Sequence, residues 1–265
     1  MIIDGVAYLG NWPFRKLRYN TAAAMAERMD RCGIDRAVVS SLSAVLYKDV
    51  MNGNFELAES VAGSERFIPL AVINPAYPHW REDFLFCLEK LGMKGLEIFP
   101  GYHGYDLTLP ALRELLELAA KKGVPVRVPG RLVDIRGRHW LDTPENLGAA
   151  EIEQIVRLSP RTDFLICSCN TAAAAKRLAA PAESRPGQIF YDFSRLERFS
   201  FSPAFQSLLE TAGTDRVFFG TCAPFQYPEV QQVKLFYSGL RAEELGAITA
   251  GNLSSLFSGD GTARR

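Results

Sequence analysis

The chain has 265 residues, 48% of them hydrophobic, with 30 Lys+Arg balanced by 30 Asp+Glu. That length suits one domain with a large core, and the balanced charge gives no reason to expect nucleic acid or an anionic membrane as partner. The odd count of five scattered cysteines reads as reduced thiols. Met1-Ile2-Ile3-Asp4 opens on strand-like sequence without a secretory pattern, and no apolar run has membrane length, so the expectation is a cytoplasmic protein.

In chain order, short apolar runs alternate with helical patterns. Residues 2–8 read as a strand, and 21–32 as a helix with Thr21 as N-cap and Gly33 as stop. Strands follow at 37–41, 67–73 and 95–99, each rich in β-branched or aromatic residues. Residues 109–122 carry Leu112, Leu115, Leu116 and Ala119 at helical spacing. A strand at 125–128 precedes Thr143-Pro144-Glu145, which reads as a helix start with Pro in its first turn. Then come a strand at 164–168, an alanine-rich helix at 171–180, and strands at 189–192 and 217–221. The last helices are expected at 228–240 and 243–257. Eight strands alternating with helices mean parallel pairing and right-handed crossovers. The fold expected is α/β, a single-domain (β/α)8 TIM barrel over residues 1–257, with an extra C-terminal helix and a flexible tail at 258–265. An open doubly wound sheet would carry a glycine-rich phosphate loop after its first strand. Gly10-Asn11-Trp12-Pro13-Phe14-Arg15 is no such loop.

Several phrases then fall in a recognisable order: Ile3-Asp4, Gly33-Ile34-Asp35-Arg36-Ala37-Val38, Arg66-Phe67 through Asn74-Pro75, and Lys94-Gly95-Leu96-Glu97-Ile98-Phe99-Pro100. Gly123-Val124-Pro125-Val126, Asp215-Arg216-Val217-Phe218-Phe219-Gly220 and Gly251-Asn252 complete the series. With these phrases the chain resembles the amidohydrolase-related (amidohydrolase-2 type) barrels, metal-dependent hydrolases and decarboxylases. The resemblance implies metal ligands at positions 6, 8, 129, 168 and 222, where this chain has Val6, Tyr8, Pro129, Ser168 and Cys222. Valine and proline offer no ligating side chain, and neutral Ser and Tyr are poor ligands. No metal or other cofactor is therefore expected. His79, His103 and His139 have no ligand spacing and read as solvent-exposed loop residues.

In a β/α barrel the chemistry sits at the C-terminal strand ends. Strand alternation, with Ser168 on the axis, turns Cys167 and Cys169 toward the helices and makes Cys222 an axis-facing thiol, either a nucleophile or a packing residue. It also turns Asp4, Glu97, Arg127 and Asp192 inward, and an uncompensated interior charge predicts a Glu97–Arg127 ion pair. That pair either fills the space of the metal centre or belongs to a polar ligand site. The loop from Arg131 through Arg136, Arg138, His139 and Trp140 is long and rich in arginine. Arg15, Arg127, Arg131 and Arg138 are candidates for an anion-binding mouth, with Tyr8, Ser168, Asn170 and Asp192 adding polar contacts and Glu97 and His139 completing the substrate set. The alternative is a solvated loop whose arginines pair with Asp134, Asp142 and Glu145.

Three functions fit these residues. The first is a metal-independent hydrolase of a lactone- or ester-like bond in a small carboxylated substrate, as some relatives without a metal imply. Asp192 would be its general base, with Tyr8 and Cys222 as further catalytic candidates. The second is an inactive barrel that binds an anionic metabolite (carboxylate or phosphate) or a protein partner. The third is a metal-dependent hydrolase or decarboxylase with unidentified ligands. Trp12-Pro13-Phe14 and Phe199-Ser200-Phe201 are candidates for core or for the contact of a homo-oligomer.

Overall fold

Alternate residues of a strand face opposite sides, and in the computed structural model of this chain that alternation sorts the apolar residues into two cores. The structure describes residues 1–179, 187–196 and 203–257; Ala180, the Phe199–Phe201 run and the 258–265 tail lie outside the described residues. The strands are β1 (Ile3–Leu9), β2 (Arg36–Ser41), β3 (Phe67–Pro69), β4 (Ala71–Val72), β5 (Leu96–Glu97), β6 (Val126–Pro129), β7 (Phe164–Cys167), β8 (Ile189–Asp192) and β9 (Val217–Phe218). All pair in parallel, in the orders β1-β2-β3 and β4 through β9. β3 and β4 are one stave interrupted at Leu70: the Leu70 N–H donates to Val39 O at 2.8 Å and the Ala71 N–H to Gly95 O at 2.9 Å. The last stave returns to β1 through Gly5 N–H to Phe219 O and Tyr8 N–H to Ala223 O, both 2.8 Å. The result is the expected closed β/α barrel.

Val38, Val72, Leu165, Phe190 and Phe218 pack in the barrel interior with Val6 and Tyr8. Ala37, Val126, Val128, Phe164 and Ile166 pack outward against helix residues such as Met25, Leu57, Phe84 and Leu112. The helix Ala22–Arg31 has Thr21 as its N-cap, and Pro110–Lys122 ends on left-handed Gly123. One expected start is displaced: the helix near Thr143 begins only at Ala149. Residues 144–147 instead run along the barrel rim, where the Leu147 N–H reaches Gly130 O at 2.9 Å, and Glu151 caps the Gly148 N–H at 3.0 Å. The closing segment is not one helix but Ala242–Gly246, a π turn over Ala247–Gly251, and Asn252–Phe257. The Asn252 amide holds it to the last stave by donating to Thr214 O and Val217 O.

Candidate functional site

The axis of the barrel is occupied by a charge that the fold itself satisfies. Arg127 on β6 is buried, and its Nε and Nη2 donate to the Glu97 carboxylate at 2.7 and 2.9 Å. Nη1 donates to Gly5 O and Val38 O, at 3.0 and 2.9 Å, and Nη2 also reaches Ser40 Oγ at 3.0 Å. Ser40 Oγ donates in turn to Glu97, and the guanidinium lies 5.0 Å from the Tyr8 ring centre. Burial would lower the Arg127 pKa, but the Glu97 carboxylate more than offsets this and holds the group protonated. The ion pair expected from the sequence is formed, and every arm of the guanidinium points into the fold rather than toward a ligand.

Above it an aromatic plug closes the centre. Trp12, buried, packs edge-on against Phe14, Tyr102 and Phe225, and Phe225 packs on Tyr8. Trp12 is thus core. The long loop is pinned over this plug by Tyr102, whose hydroxyl donates to Asp142 at 3.0 Å, and by His139 stacked on Phe14. Tyr8, Cys222, Ser168, Glu97 and Asp192 lie beneath, all essentially inaccessible.

Two non-glycine residues at strand ends are left-handed: Ser168 and Cys222, each with φ 57°. Such backbone costs about 1–3 kcal/mol per residue and concentrates at functional sites. Their side chains meet, Ser168 Oγ to Cys222 Sγ at 2.8 Å, and Ser194 Oγ lies 3.0 Å from the same sulfur. Ser194 Oγ donates to Asp192, which also accepts the N–H groups of Ser168 (3.0 Å) and Ser194 (3.2 Å). Burial lifts the Asp192 carboxyl to about 6, against these hydrogen bonds, and it also raises the Cys222 thiol. Nearby, burial lowers the ammonium of Lys234 to about 8, while its Nζ donates to Leu196 O at 2.6 Å.

The turn at Ser168 corrects one expectation. Strict alternation put Cys167 toward the helices, but it packs in the barrel interior with Leu165, and Cys169 packs outward. The left-handed residue between them breaks the period of two. All five cysteines are buried and unpaired. His103 is also not the exposed residue expected. It sits between Phe99 and Tyr105, burial pushes it down to about 4, and Nε2 lies 3.3 Å from Ala44 O. His79 and His139 are exposed.

The arginines are distributed rather than gathered. Arg15 stacks on Phe225 and donates to its carbonyl at 3.3 Å, in a cleft with Lys16 and Arg18. Arg138 donates to Pro144 O at 3.3 Å within its own loop, and Arg136 pairs with Asp134. Arg131 alone of the candidate arginines reaches an open cleft with Ser168 and Asn170. This cleft, of 510 Å³, is also lined by Asn146 and by Arg195, which the sequence reading missed. Among the described residues neither Arg131 nor Arg195 pairs with a carboxylate. The buried Arg131 Nε has no hydrogen-bond partner, and Arg195 is steadied by Leu132 O at 2.5 Å. Gly148, Asn170 and Ala204, at the starts of three helices, line the same cleft and add positive potential. Arg195 and Ser194 had a readable signal: both directly follow the strand end at Asp192.

A divalent metal does not fit the central positions. Val6 and Pro129 have no donor; Tyr8 and Cys222 are held protonated by burial, and the Arg127 cation lies under the Tyr8 ring. Among the described residues no three His, Cys, Asp or Glu side chains converge as a ligand set.

A closed β/α barrel with its candidate site at the C-terminal strand ends is the class of protein defined here. The amidohydrolase family profile matches residues 18–232, and the chain belongs to that family. Among solved structures it is similar to 2,6-dihydroxybenzoate decarboxylase from Rhizobium, with a TM-score of 0.74 and 16% identity over 98% of this chain and 99% of that one. It is also similar to 5-carboxyvanillate decarboxylase from Sphingomonas paucimobilis, with a TM-score of 0.74 and 16% identity over 97% and 98% of the two chains. A proposed 2-pyrone-4,6-dicarboxylic acid hydrolase from Pseudomonas putida gives 0.65 and 16% over 97% of each. No curated protein matches the chain. No helix among the described residues is long and apolar enough to cross a membrane.

Proposed function

We propose that this amidohydrolase-family barrel binds a small anionic metabolite, a carboxylate or phosphate, in the cleft beside β6, β7 and β8, without the metal centre of the family. The observation that carries this reading is the pair Arg131 and Arg195, two guanidinium groups in one cleft, neither of which forms an ion pair among the described residues. Guanidinium matches both anions bidentately. Small carboxylated aromatic or pyrone acids appear in the names of the similar structures, which favours a carboxylate. Calorimetric titration with inorganic phosphate and a panel of small mono-, di- and tricarboxylates tests it. At least one should bind, and Arg131→Met should weaken that binding about tenfold or more, the usual worth of a charge-assisted hydrogen bond. No binding by any member of the panel sinks the proposal.

A second reading, hydrolysis of a lactone- or ester-like bond, is favoured by the two strained residues under the cleft. Ser168 lines it, and the Cys222–Ser194–Asp192 network lies directly behind. In this reading Arg131 and Arg195 hold the substrate carboxylate and Asp192 accepts a proton from the attacking water. Because Asp192 and Cys222 are closed off, this chemistry requires the floor at Ser168 to open. Turnover of an aromatic lactone that Asp192→Asn abolishes, with anion binding kept, distinguishes it from binding alone.

A further inference from the structure

A second opening lies on the other flank of the barrel mouth, between the helices Val50–Ser60 and Trp80–Glu89. Its volume is 890 Å³, and its floor is the end of β4 at Ile73 and Asn74. Four aromatic side chains wall it: Tyr47, Phe55, Tyr77 and Phe86, each between 41 and 44% exposed. Phe55 and Phe86 meet edge to face at 5.9 Å. Four half-exposed aromatic rings around one concavity form an uncommon patch for a soluble surface.

Carboxylates predominate inside this groove, with the exposed His79 imidazole beside them. Asp49, Glu82 and Asp83 line it, and the one lysine there, Lys48, is exposed and pairs with none of them. Asp49 has a helix-capping role, accepting the Met51 N–H at 2.9 Å. Asp83 has none: half-buried, it makes no side-chain hydrogen bond or ion pair among the described residues. Its carboxyl is raised by burial and then by the neighbouring Asp49, an effect that His79 opposes only in part. A bound cation would relieve both effects. The faces of Tyr and Phe attract cations, most strongly when water is excluded.

We infer that this groove is a binding site for a small organic cation, an amine or quaternary ammonium carrying an apolar or aromatic body. The ring walls take the body, and Asp83 with Asp49 takes the charge. A cavity of this size holds a ligand of drug-like dimensions. The site is independent of the arginine cleft and of the reading proposed for it.

The test uses the full chain and four probes that differ in charge on one ring: benzylamine, benzyltrimethylammonium, benzyl alcohol and benzoate, followed by ligand-observed NMR and calorimetry. Both cations should bind, with the alcohol and benzoate weaker by about tenfold or more. Asp83→Asn should weaken the cations by about tenfold, and Phe55→Ala or Phe86→Ala by about threefold or more. Arg131→Met should leave cation binding unchanged. The inference is overturned if neither cation binds at millimolar concentration, or if the alcohol binds as well as the amine. It is equally overturned if cation binding survives both Asp83→Asn and the phenylalanine substitutions. The four-probe comparison on unaltered protein stands even where a variant fails to fold.

Discussion

The two flanks of the barrel mouth differ in nearly every physical respect. The cleft beside β6 to β8 is lined by guanidinium groups, amides and helix N-termini. The groove beside β2 and β4 is walled by aromatic rings over carboxylates. Between them the centre, where a barrel enzyme normally works, is filled by Arg127, Glu97 and the Trp12 plug. The contrast teaches that a barrel whose centre is filled need not present a featureless surface. The βα loops still present side chains of both signs, and the closed centre keeps the opposite charges apart.

The largest effect should come from breaking the central partition. Arg127→Met leaves Glu97 buried without its counter-charge, and loss of one partner of a buried pair costs about 3–5 kcal/mol. Urea denaturation should show that loss, and both flanks should lose ligand affinity as the folded fraction falls. Adding Glu97→Leu to the same chain should recover much of the stability, because an apolar replacement of the whole pair is close to neutral. If the single variant proves as stable as the parent, the partition is not what holds the two flanks in place.

Next in size is a pH effect from two buried carboxyls, one of them behind the arginine cleft. Burial lifts Asp192 to about 6, and Asp4 likewise, above an unfolded value of about 3.9. The folded state therefore holds these protons more tightly. The stability so contributed is complete below the unfolded value and is lost as pH rises through about 6. A shift of about two units corresponds to about 3 kcal/mol for each group. Unfolding free energies measured between about pH 4 and pH 7 should fall less steeply in Asp192→Asn than in the parent, by up to that amount. An unchanged slope would mean that Asp192 titrates normally.

How much of this contrast could be read from the chain depends on whether it is local. The barrel was legible because each strand and each helix has its own period, and the Glu97–Arg127 pair because an interior charge must be compensated. Cys167 follows the alternation of Leu165 and Ile166, but counting that alternation back from Ser168 put it on the wrong face, because Ser168 is left-handed and no period signals that. Nor was the helix start near Thr143, because the segment before Ala149 is held by tertiary bonds to Gly130. The arginine mouth was legible in kind but not in membership: Arg131 reaches the open cleft, Arg15 and Arg138 are bound elsewhere, and Arg195 supplies the second guanidinium. The aromatic groove left no trace, because its walls come from two helices and two loops that separately look like ordinary amphipathic surfaces.

A smaller effect tests whether the flanks are independent. Arg131→Met and Asp83→Asn alter opposite sides of the plug and line separate openings. Their effects on anion and cation binding should therefore each appear in one titration only and add within about 0.5 kcal/mol in the double variant. A coupling larger than that would mean the plug transmits a change from one side to the other.

The smallest expected effect concerns the edge of the arginine cleft. Trp140 is 77% exposed and, among the described residues, stacks only on His139, although it belongs to the loop whose arginines suggested an anion-binding mouth. The cleft is lined by Arg131, at the base of that loop, and not by the loop tip. Trp140→Ala should therefore change stability by no more than about 0.5 kcal/mol, as for an ordinary surface site, and leave anion affinity as it was. Denaturation and titration of the one variant check both. A clear loss of affinity would bring the loop tip down onto the bound anion. The arginine side would then be a covered pocket, while the aromatic groove stays open.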